Sequence, residues 1–335
     1  MELIIKPTEL CNFKCTFCSS THLVDDKRTQ LSHEHIFSFL KRFPNTSTII
    51  VNGGDPLMMK PDYYWEIIRY LEERNMNTTL SFTTNLWAFY KNPEPWVELF
   101  KHPLVGINTS FNYGQTRRIT KDRVYTEEDF WKVSDLFLEK IGYRPSFISV
   151  ITEENFSTAI DNVYLAKKMN VECKLNYALA SGDQGSSFLM GKIYEVYLQI
   201  IRLGLTEWEY NSKQIIRKKN AISTSCPLNR ACDETIRCLQ PESDYYSCGA
   251  FGDDKQYPIS FQEEVIQGKK FLPLKDQAPL AYLKEDCLTC PLFEICNGCK
   301  KNISDIKKSN RVQEHCSAMQ KNMIELDGLV NYGIH

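Results

Sequence analysis

Short apolar runs alternate with amphipathic stretches along the first two thirds of the chain. The stretches repeat apolar residues at helical spacing, as in "DYYWEIIRYLEER", where Tyr64, Ile67, Ile68 and Leu71 share one face. Further helical patterns lie at 33–43, 95–100, 126–140, 157–169 and 191–204. The runs between them are rich in β-branched and aromatic residues and predict six strands, at 2–7, 47–54, 78–85, 104–111, 145–152 and 171–179.

This order of elements indicates an α/β fold with a parallel sheet, because parallel neighbours need crossover connections. Six strand–helix units are too few for a closed eight-fold barrel, so we predict an open, partial (β/α)6 TIM-like barrel. The pattern changes near 205–225. We therefore expect two domains, the partial barrel over 1–210 and a smaller cysteine-rich domain over 211–335.

Charge and hydropathy narrow the classes of partner. The 40 Lys and Arg nearly balance the 42 Asp and Glu, so no net field attracts nucleic acid or an anionic membrane. The N-terminal "MELIIKPTEL" lacks the features of a signal peptide, and no apolar run approaches the roughly 18 residues of a membrane span. We expect a cytoplasmic protein without nucleic-acid or membrane partners.

The cysteines add the first chemical signal. Of the 13, three lie at 11–18, one at 173 and nine between 226 and 316. In a reducing cytoplasm such clustering indicates metal binding or catalysis and argues against disulfides. The sequence therefore predicts two metal-binding regions separated by a body that is nearly free of cysteine.

The first region is "CNFKCTFC", in which Cys11, Cys15 and Cys18 are spaced C-x3-C-x2-C directly after the first strand. A four-iron cluster normally takes four thiolates, so three would leave one iron open to another ligand. The alternatives are a zinc site, with His22 as a further ligand, or buried cysteines without a metal. The spacing resembles the signature of the radical S-adenosylmethionine (SAM) superfamily, in which this loop follows the first strand of a partial barrel.

Other strand ends match motifs of the same superfamily. By resemblance, Phe17 lies beside the adenine, and Gly53, Gly54 and Asp55 of "NGGDP" correspond to a Gly-Gly-Glu-Pro motif that binds the SAM amino group, with Asp in place of Glu. Ser110 matches a position that contacts the ribose or carboxylate. The same comparison adds Thr84, Asn108 and, for the SAM carboxylate, either Arg118 or Arg123.

The C-terminal cysteines resemble the SPASM extension of radical SAM proteins, which carries a β-hairpin and two auxiliary four-iron clusters. The resemblance implies that one cluster is held by Cys287, Cys290, Cys296 and Cys316. It implies that the other is held by Cys226, Cys232, Cys248 and Cys299. Together with the first cluster this makes three. The alternative for this region is a zinc ribbon.

Two departures from the SPASM pattern stand out. The last pair of the central run has two intervening residues in place of three, and the hairpin turn is Pro241-Glu242-Ser243 in place of Pro-Asp-Gly. Ser243 would carry a conformational cost if its φ is positive.

Cys238 is the spare thiol in this assignment, although Cys232 with Cys238 has the same spacing as Cys226 with Cys232. A spare thiol facing the barrel would be a candidate hydrogen-atom donor.

The resemblance implies a reaction but leaves the substrate open. Such enzymes reductively cleave SAM to a 5′-deoxyadenosyl radical that abstracts hydrogen from a substrate C–H bond. SPASM enzymes mostly crosslink, oxidise or epimerise peptides, so a peptide is the expected substrate. The alternatives are dehydrogenation or epimerisation of a small molecule (a sugar, nucleoside or antibiotic precursor) and a non-catalytic electron-transfer protein.

Two further expectations concern partners and the exact activity. The reaction implies a reductant such as flavodoxin or ferredoxin. Because Cys11 lies only ten residues into the chain, we expect a separate leader-peptide-binding protein, or a substrate bound without a leader. Sulfatase maturation is disfavoured at this point, because it uses an Asp directly after the hairpin cysteine, and Cys248 is followed by Gly249.

Overall fold

The fold is built around one twisted sheet. The computed structural model describes residues 1–19, 29–180, 188–217, 235–256, 258–259 and 300–330. The strands in this part of the chain are β1 (Glu2–Ile5), β2 (Thr48–Val51), β3 (Thr79–Thr83), β4 (Val105–Ser110), β5 (Ser146–Ile151), β6 (Cys173–Tyr177), β7 (Ile236–Leu239) and β8 (Tyr245–Tyr246). Their order in the sheet is β6-β5-β4-β3-β2-β1-β7-β8.

All six predicted strands form, and neighbours from β1 to β6 pair in parallel in chain order. The helices in the described residues are α1 (His33–Arg42), α2 (Pro61–Glu73), α3 (Trp87–Lys91), α4 (Glu94–Phe100), α5 (Glu127–Ile141), α6 (Ala159–Met169), α7 (Met190–Arg202), α8 (Tyr210–Arg217), α9 (Gly249–Asp253), α10 (Lys300–Lys308) and α11 (Val312–Val330). The predicted partial barrel with six strand–helix units is confirmed. None of the described helices is long and apolar enough to cross a membrane.

The alternation of side chains along each strand separates two faces. On β1, Leu3 and Ile5 belong to the main core between sheet and helices, whereas Ile4 and Lys6 line a cavity on the inner face. Ser32 is the N-cap residue of α1, but its side chain makes no capping hydrogen bond. The thirteen-residue helix α2 buries the four side chains named from its sequence, Tyr64, Ile67, Ile68 and Leu71.

The predicted hairpin is joined directly to the barrel sheet. Strand β7 pairs in parallel with β1, with Cys238 opposite Ile4, and β8 returns antiparallel to β7. The hairpin therefore extends the sheet beyond β1, a pairing that the sequence did not indicate. The division at 210/211 stays a prediction.

The turn of this hairpin holds Ser243 at φ +74°, in the left-handed region. The Ser243 N–H donates to the Gln240 carbonyl at 2.8 Å, and the Gln240 N–H donates to the Asp244 carbonyl at 3.0 Å. A three-residue hairpin loop places its last residue in this conformation, which glycine adopts without a Cβ penalty. The cost anticipated for Ser at this position is therefore present.

We expect Ser243→Gly to raise the free energy of unfolding by about 1 kcal/mol, because it relieves a left-handed non-glycine residue. Thermal and denaturant unfolding would measure the gain. Ser243→Ala is the matched control, since it removes the hydroxyl but keeps the Cβ. An equal gain in both variants would show that the hydroxyl, and not the backbone, carries the cost.

The C-terminal helices pack onto the barrel. An added Cβ on Gly191 of α7 would lie 2.7 Å from the Ala318 side chain of α11, and the Asn322 side chain donates to the Gly191 carbonyl at 2.7 Å. Lys301 of α10 is buried, and its Nζ donates to the Ala180 carbonyl and to Asp305, each at 2.7 Å, and pairs with Asp254. These contacts fix α10 and α11 beside α7, α9 and the end of β6.

Candidate active site

The cysteine loop follows β1 at the carboxyl edge of the sheet, where the sequence placed it. Its backbone is held by the segment after β4, since the Lys14 N–H donates to the Arg118 carbonyl at 2.8 Å and the Thr16 N–H to the Thr116 carbonyl at 2.9 Å. The three cysteine side chains are half-buried. The loop therefore presents three thiols at the mouth of the barrel from a fixed backbone.

The thiols of this loop fit a cationic ligand. Burial, then Asp55, then the neighbouring thiols of Cys18 and Cys15 raise the pKa of Cys11 well above its ordinary value. Thiolates crowded in such a place need a positive partner, which a metal centre supplies. Within the described ranges no three His, Cys, Asp or Glu side chains converge closely enough to hold a single metal ion. The fit to a multi-iron cluster rests on the triad's spacing and on the electrostatic coupling of its thiols.

The paired glycines after β2 let the cysteine loop approach. Gly53 has φ +122°, and an added Cβ would lie 2.6 Å from the Thr8 carbonyl oxygen. On Gly54 the Cβ would lie 2.3 Å from the Leu10 carbonyl oxygen. Backbone contacts this short allow no side chain at either position. Gly53 also lines the cavity beside Phe17, so the motif both positions the loop and borders the predicted SAM site.

Asp55 has a structural role that the sequence did not reveal. Its Oδ1 accepts the Leu57 N–H at 2.9 Å, its Oδ2 accepts the Asn85 N–H at 2.8 Å, and the Thr84 hydroxyl donates to both oxygens at 3.0 Å. The carboxylate is 2% exposed. Asp55 and Thr84 thus join the end of β2 to the end of β3. Their contacts with SAM remain predictions.

We expect Asp55→Asn to lower the free energy of unfolding by about 1–3 kcal/mol, because an amide nitrogen cannot accept the N–H groups that converge there. Burial raises the pKa of Asp55 to about 6, from an ordinary value of 3.8. Between pH 4 and pH 6 the Asp55 carboxyl is protonated in the folded state and ionised in the unfolded state. Its contribution to the free energy of unfolding therefore falls as pH rises from about 4 to about 6. Urea unfolding of both proteins across this range measures the difference, with exposed Asp122→Asn as control. A difference that is small and independent of pH would contradict this role.

Asn85 contacts the cysteine loop and was not among the predicted ligands. Its side-chain amide donates to the Asn12 Oδ1 at 2.7 Å and lies 3.9 Å from the Cys11 Sγ. Its own Oδ1 accepts the Trp87 N–H at 2.8 Å, which fixes the amide orientation. An amide aimed at a thiolate sulfur is one of the contacts that tune an iron–sulfur cluster. In the sequence, the polar segment "TTN" at the end of β3 was the pattern from which this contact could have been predicted.

Ser110 and Phe17 are brought together by an arginine that the sequence analysis did not choose. The Arg117 guanidinium donates to Ser110 Oγ at 2.8 Å and to Asn112 Oδ1 at 3.1 Å, and it lies 5.1 Å from the centre of the Phe17 ring. Arg117 is only 5% exposed. A buried cation between an aromatic ring and a hydroxyl suits an anionic group such as a carboxylate.

The two arginines that were named lie elsewhere. Arg118 is bound to backbone carbonyls of Gln115 and Lys121, and Arg123 pairs with Asp129 at 2.6 Å and lies over the Trp87 ring. Both side chains are thus engaged by other groups of the protein, and a contact of either with the SAM carboxylate stays a prediction. Asn108 lies on the inner face of β4, where its amide donates to Ser81 at 3.4 Å, and its contact with SAM remains a prediction.

A cavity of about 380 Å³ occupies the inner face of the sheet. Its lining comes from β1, β5 and β6, from the residues that follow β1, β2 and β6, from the cysteine loop, and from Cys248 with α9. The polar members are Lys6, Ser19, Asn52, Asn176 and Asp253. The thiols of Cys18 and Cys248 both border it. The cavity therefore lies between the first cysteine region and the second.

Four further predicted or candidate cysteines fall in the described residues. Cys248 precedes α9, Cys316 lies on α11 and Cys173 is buried in β6; none of the described cysteines forms a disulfide. Cys238 is fully buried against Tyr246, Phe251, Ile4 and Cys248, and its role as a hydrogen-atom donor stays a prediction. The predicted ligands Cys226, Cys232, Cys287, Cys290, Cys296 and Cys299 lie outside the described residues.

Comparisons with known proteins agree with this geometry. A family model for the radical SAM superfamily matches residues 5–166. The cysteine-type anaerobic sulfatase-maturating enzyme of Clostridium novyi is 21% identical over 338 residues, covering 90% of this chain and 88% of that enzyme. A GTP 3′,8-cyclase of Photorhabdus laumondii is 24% identical over 211 residues, covering 58% of this chain and 59% of that enzyme.

Solved structures show the same fold. Native anSMEcpe with bound AdoMet superposes with a TM-score of 0.69 at 17% identity, covering 98% of both chains. Streptococcus suis SuiB bound to its precursor peptide SuiA gives a TM-score of 0.60 at 16% identity, covering 88% of this chain and 70% of SuiB. With the matched family model, the cysteine loop after β1 and the partial barrel, residues 5–166 of the chain form a radical SAM domain.

Proposed function

We propose that the chain is a SPASM-type enzyme that modifies a peptide. The observation that carries this proposal is likeness over nearly the whole chain to enzymes solved with peptides. The complex of anSMEcpe with AdoMet and the Cp18Cys peptide covers 98% of this chain with a TM-score of 0.65, and the SuiB–SuiA complex covers 88%. The small-molecule relative, GTP 3′,8-cyclase, covers 58%.

In this proposal Cys11, Cys15 and Cys18 hold a four-iron cluster. When bound, the cluster and SAM supply a 5′-deoxyadenosyl radical that removes a hydrogen atom from the substrate. The proposed SAM-binding residues are Phe17, Gly53, Gly54, Asp55, Thr84, Asn108 and Ser110. Arg117 joins them because its side chain is buried between Phe17 and Ser110.

The proposed auxiliary clusters have two of their ligands, Cys248 and Cys316, in the part of the chain that the structure describes. Cys248 stands at the start of α9 beside the cavity, and Cys316 lies on α11, which packs on α7. The buried Lys301 network links α9 to α10 and so fixes this region relative to the barrel. An electron acceptor near Cys248 would then border the same cavity as Phe17, which makes a net oxidation of the substrate the proposed outcome.

The cavity is the proposed place of reaction. Val150, Ala178 and Leu179 give its wall an apolar part. Its volume of about 380 Å³ falls at the small end of the range for ligand pockets, so SAM and a single side chain of a longer substrate would share it. A reductant such as flavodoxin or ferredoxin and a separate leader-peptide-binding protein complete the proposal.

The substrate class is tested by stimulation of SAM cleavage. Reconstituted, reduced protein would be mixed with a random peptide library and, separately, with a panel of free sugars, nucleosides and amino acids. We expect peptides to raise the yield of 5′-deoxyadenosine and to show a change in mass. Stimulation by the small molecules alone would overturn the peptide proposal and support a small-molecule dehydrogenase or epimerase.

A second candidate, oxidation of a cysteine or serine in a sulfatase-like peptide, is favoured by the match to the Clostridium novyi enzyme. Gly249 follows Cys248, but Asp253 on the same short helix places a carboxylate in the cavity. A carboxylate there is suited to accept a thiol or hydroxyl proton. The test is incubation with a Cp18Cys-type peptide and with its Cys→Ala form as control. Conversion of the first peptide and not of the second would support this activity, and failure to convert the first would exclude the activity.

A further inference from the structure

Lys6 is a buried charge on the inner face of the barrel. It follows β1, shares the inner face with Ile4, and is 4% exposed. Its backbone N–H donates to the Leu239 carbonyl at 3.0 Å, so its position is fixed by the junction of β1 with β7. Burying an ammonium costs several kcal/mol, and such a residue persists only with charged partners.

The partners of Lys6 come from both cysteine regions. Its ammonium pairs with the Asp253 carboxylate, and it interacts electrostatically with Cys18 of the first region and with Cys238 and Cys248 of the second. Lys6 therefore lies between the two sites at which clusters are proposed.

Asp253 connects the same two sites. Its Oδ2 accepts the Ser19 hydroxyl at 2.6 Å, and Ser19 directly follows Cys18. Asp253 is also the last residue of α9, the helix that starts after Cys248. The ion pair thus bridges the loop of one cluster site and the helix of the other, and both of its side chains are nearly inaccessible to solvent, at 5% and 9% exposed.

A charge in such a position acts strongly on neighbouring redox centres. Coulomb interactions weaken far less with distance in a poorly solvated interior than in water. Reduction adds negative charge to an iron–sulfur cluster, so a nearby cation favours the reduced form and a nearby anion opposes it. Packing alone would be served by an uncharged side chain of similar length.

We propose that Lys6 and Asp253 are paired positioning residues that set the reduction potentials of the SAM-binding cluster and of the auxiliary cluster at Cys248. Lys6 raises both potentials and Asp253 lowers them. The part concerning the auxiliary cluster rests on the proposed function. The part concerning the SAM-binding cluster rests on the radical SAM domain alone.

The test is an EPR-monitored redox titration of reconstituted full-length protein. Lys6→Met is expected to shift the midpoint potentials to more negative values, and Asp253→Asn to shift them to more positive values. The double variant is expected to return toward wild type, because the two charges are removed together. Lys14→Met is the matched control: Lys14 lies in the cysteine loop itself but is exposed, so its charge is screened and the potentials should not move.

Opposite shifts in the two single variants support the proposal, and potentials that stay at wild-type values in both overturn it. Shifts of the same sign would also overturn it, since they indicate disturbed packing. If Lys6→Met fails to retain iron, Asp253→Asn decides alone: a positive shift supports the proposal and no shift overturns it. Wild-type protein that binds only about four irons would instead remove the auxiliary clusters from the proposed function, and the SAM-binding cluster would still test the pair.

Discussion

We expect Gly54→Ala to abolish cluster assembly and SAM cleavage. The added Cβ would lie 2.3 Å from the Leu10 carbonyl oxygen and 2.4 Å from that of Glu9, which are backbone atoms without freedom to rotate away. The Gly54 N–H also donates to the Thr8 carbonyl at 2.9 Å, and the Asp55 N–H to that of Leu10 at 2.8 Å. A side chain at this position would force the cysteine loop off the end of β2.

Iron content, visible absorption and the yield of 5′-deoxyadenosine would measure the effect, with an expected loss of stability of about 3 kcal/mol or more for such overpacking. Gly106→Ala is the matched control, because an added Cβ on Gly106 meets nothing within 4 Å. This control should behave as wild type. A Gly54→Ala protein with wild-type iron and turnover would show that the loop does not depend on this contact.

We expect Arg117→Ala to weaken SAM binding by about 10- to 100-fold, the equivalent of about 1.5–3 kcal/mol for lost hydrogen bonds to a charged group. The guanidinium is buried between the Phe17 ring and the hydroxyl of Ser110, so its removal leaves Ser110 without this donor and Phe17 without its cation. Equilibrium binding of SAM to the reconstituted protein measures the change directly.

The adjacent arginine supplies the control for this prediction. Arg118→Ala removes the same side chain one position along, but the half-buried Arg118 side chain donates, within the described residues, to the Gln115 and Lys121 carbonyls of its own loop. It should bind SAM within a factor of about two of wild type, as surface substitutions usually do. Equal losses in the two variants would indicate that the loop conformation, and not the Arg117 charge, governs SAM binding.

The sequence predicted the fold well where periodicity carries the information. Leu3, Ile5 and the four apolar positions of α2 are buried where the period-two and period-3.6 patterns place them. The cysteine triad and the "NGGDP" motif also fell at strand ends, since a parallel sheet gathers its carboxyl ends at one edge. The same alternation also indicates an unusual charge: Lys6, two positions after the inward-facing Ile4, lies on the inner face of the sheet.

What the sequence left open depended on contacts between distant segments. No local pattern distinguishes Arg117 from Arg118, and burial of the first is decided by Ser110 and Phe17. Asp55 matched a ligand motif, yet its oxygens are engaged by groups at the end of β3, thirty residues away in the chain. The pairing of β7 with β1 likewise joins segments more than 230 residues apart, which periodicity cannot indicate.

We propose that the triad after β1 holds a SAM-cleaving cluster and that the protein carries two more clusters. Iron, sulfide and 5′-deoxyadenosine would be measured on anaerobically reconstituted, reduced protein and on the Cys11→Ala, Cys15→Ala, Cys18→Ala triple variant. We predict about twelve irons per chain, falling to about eight in the variant with loss of 5′-deoxyadenosine. Zinc in place of iron, or SAM cleavage that survives in the triple variant, would contradict the account.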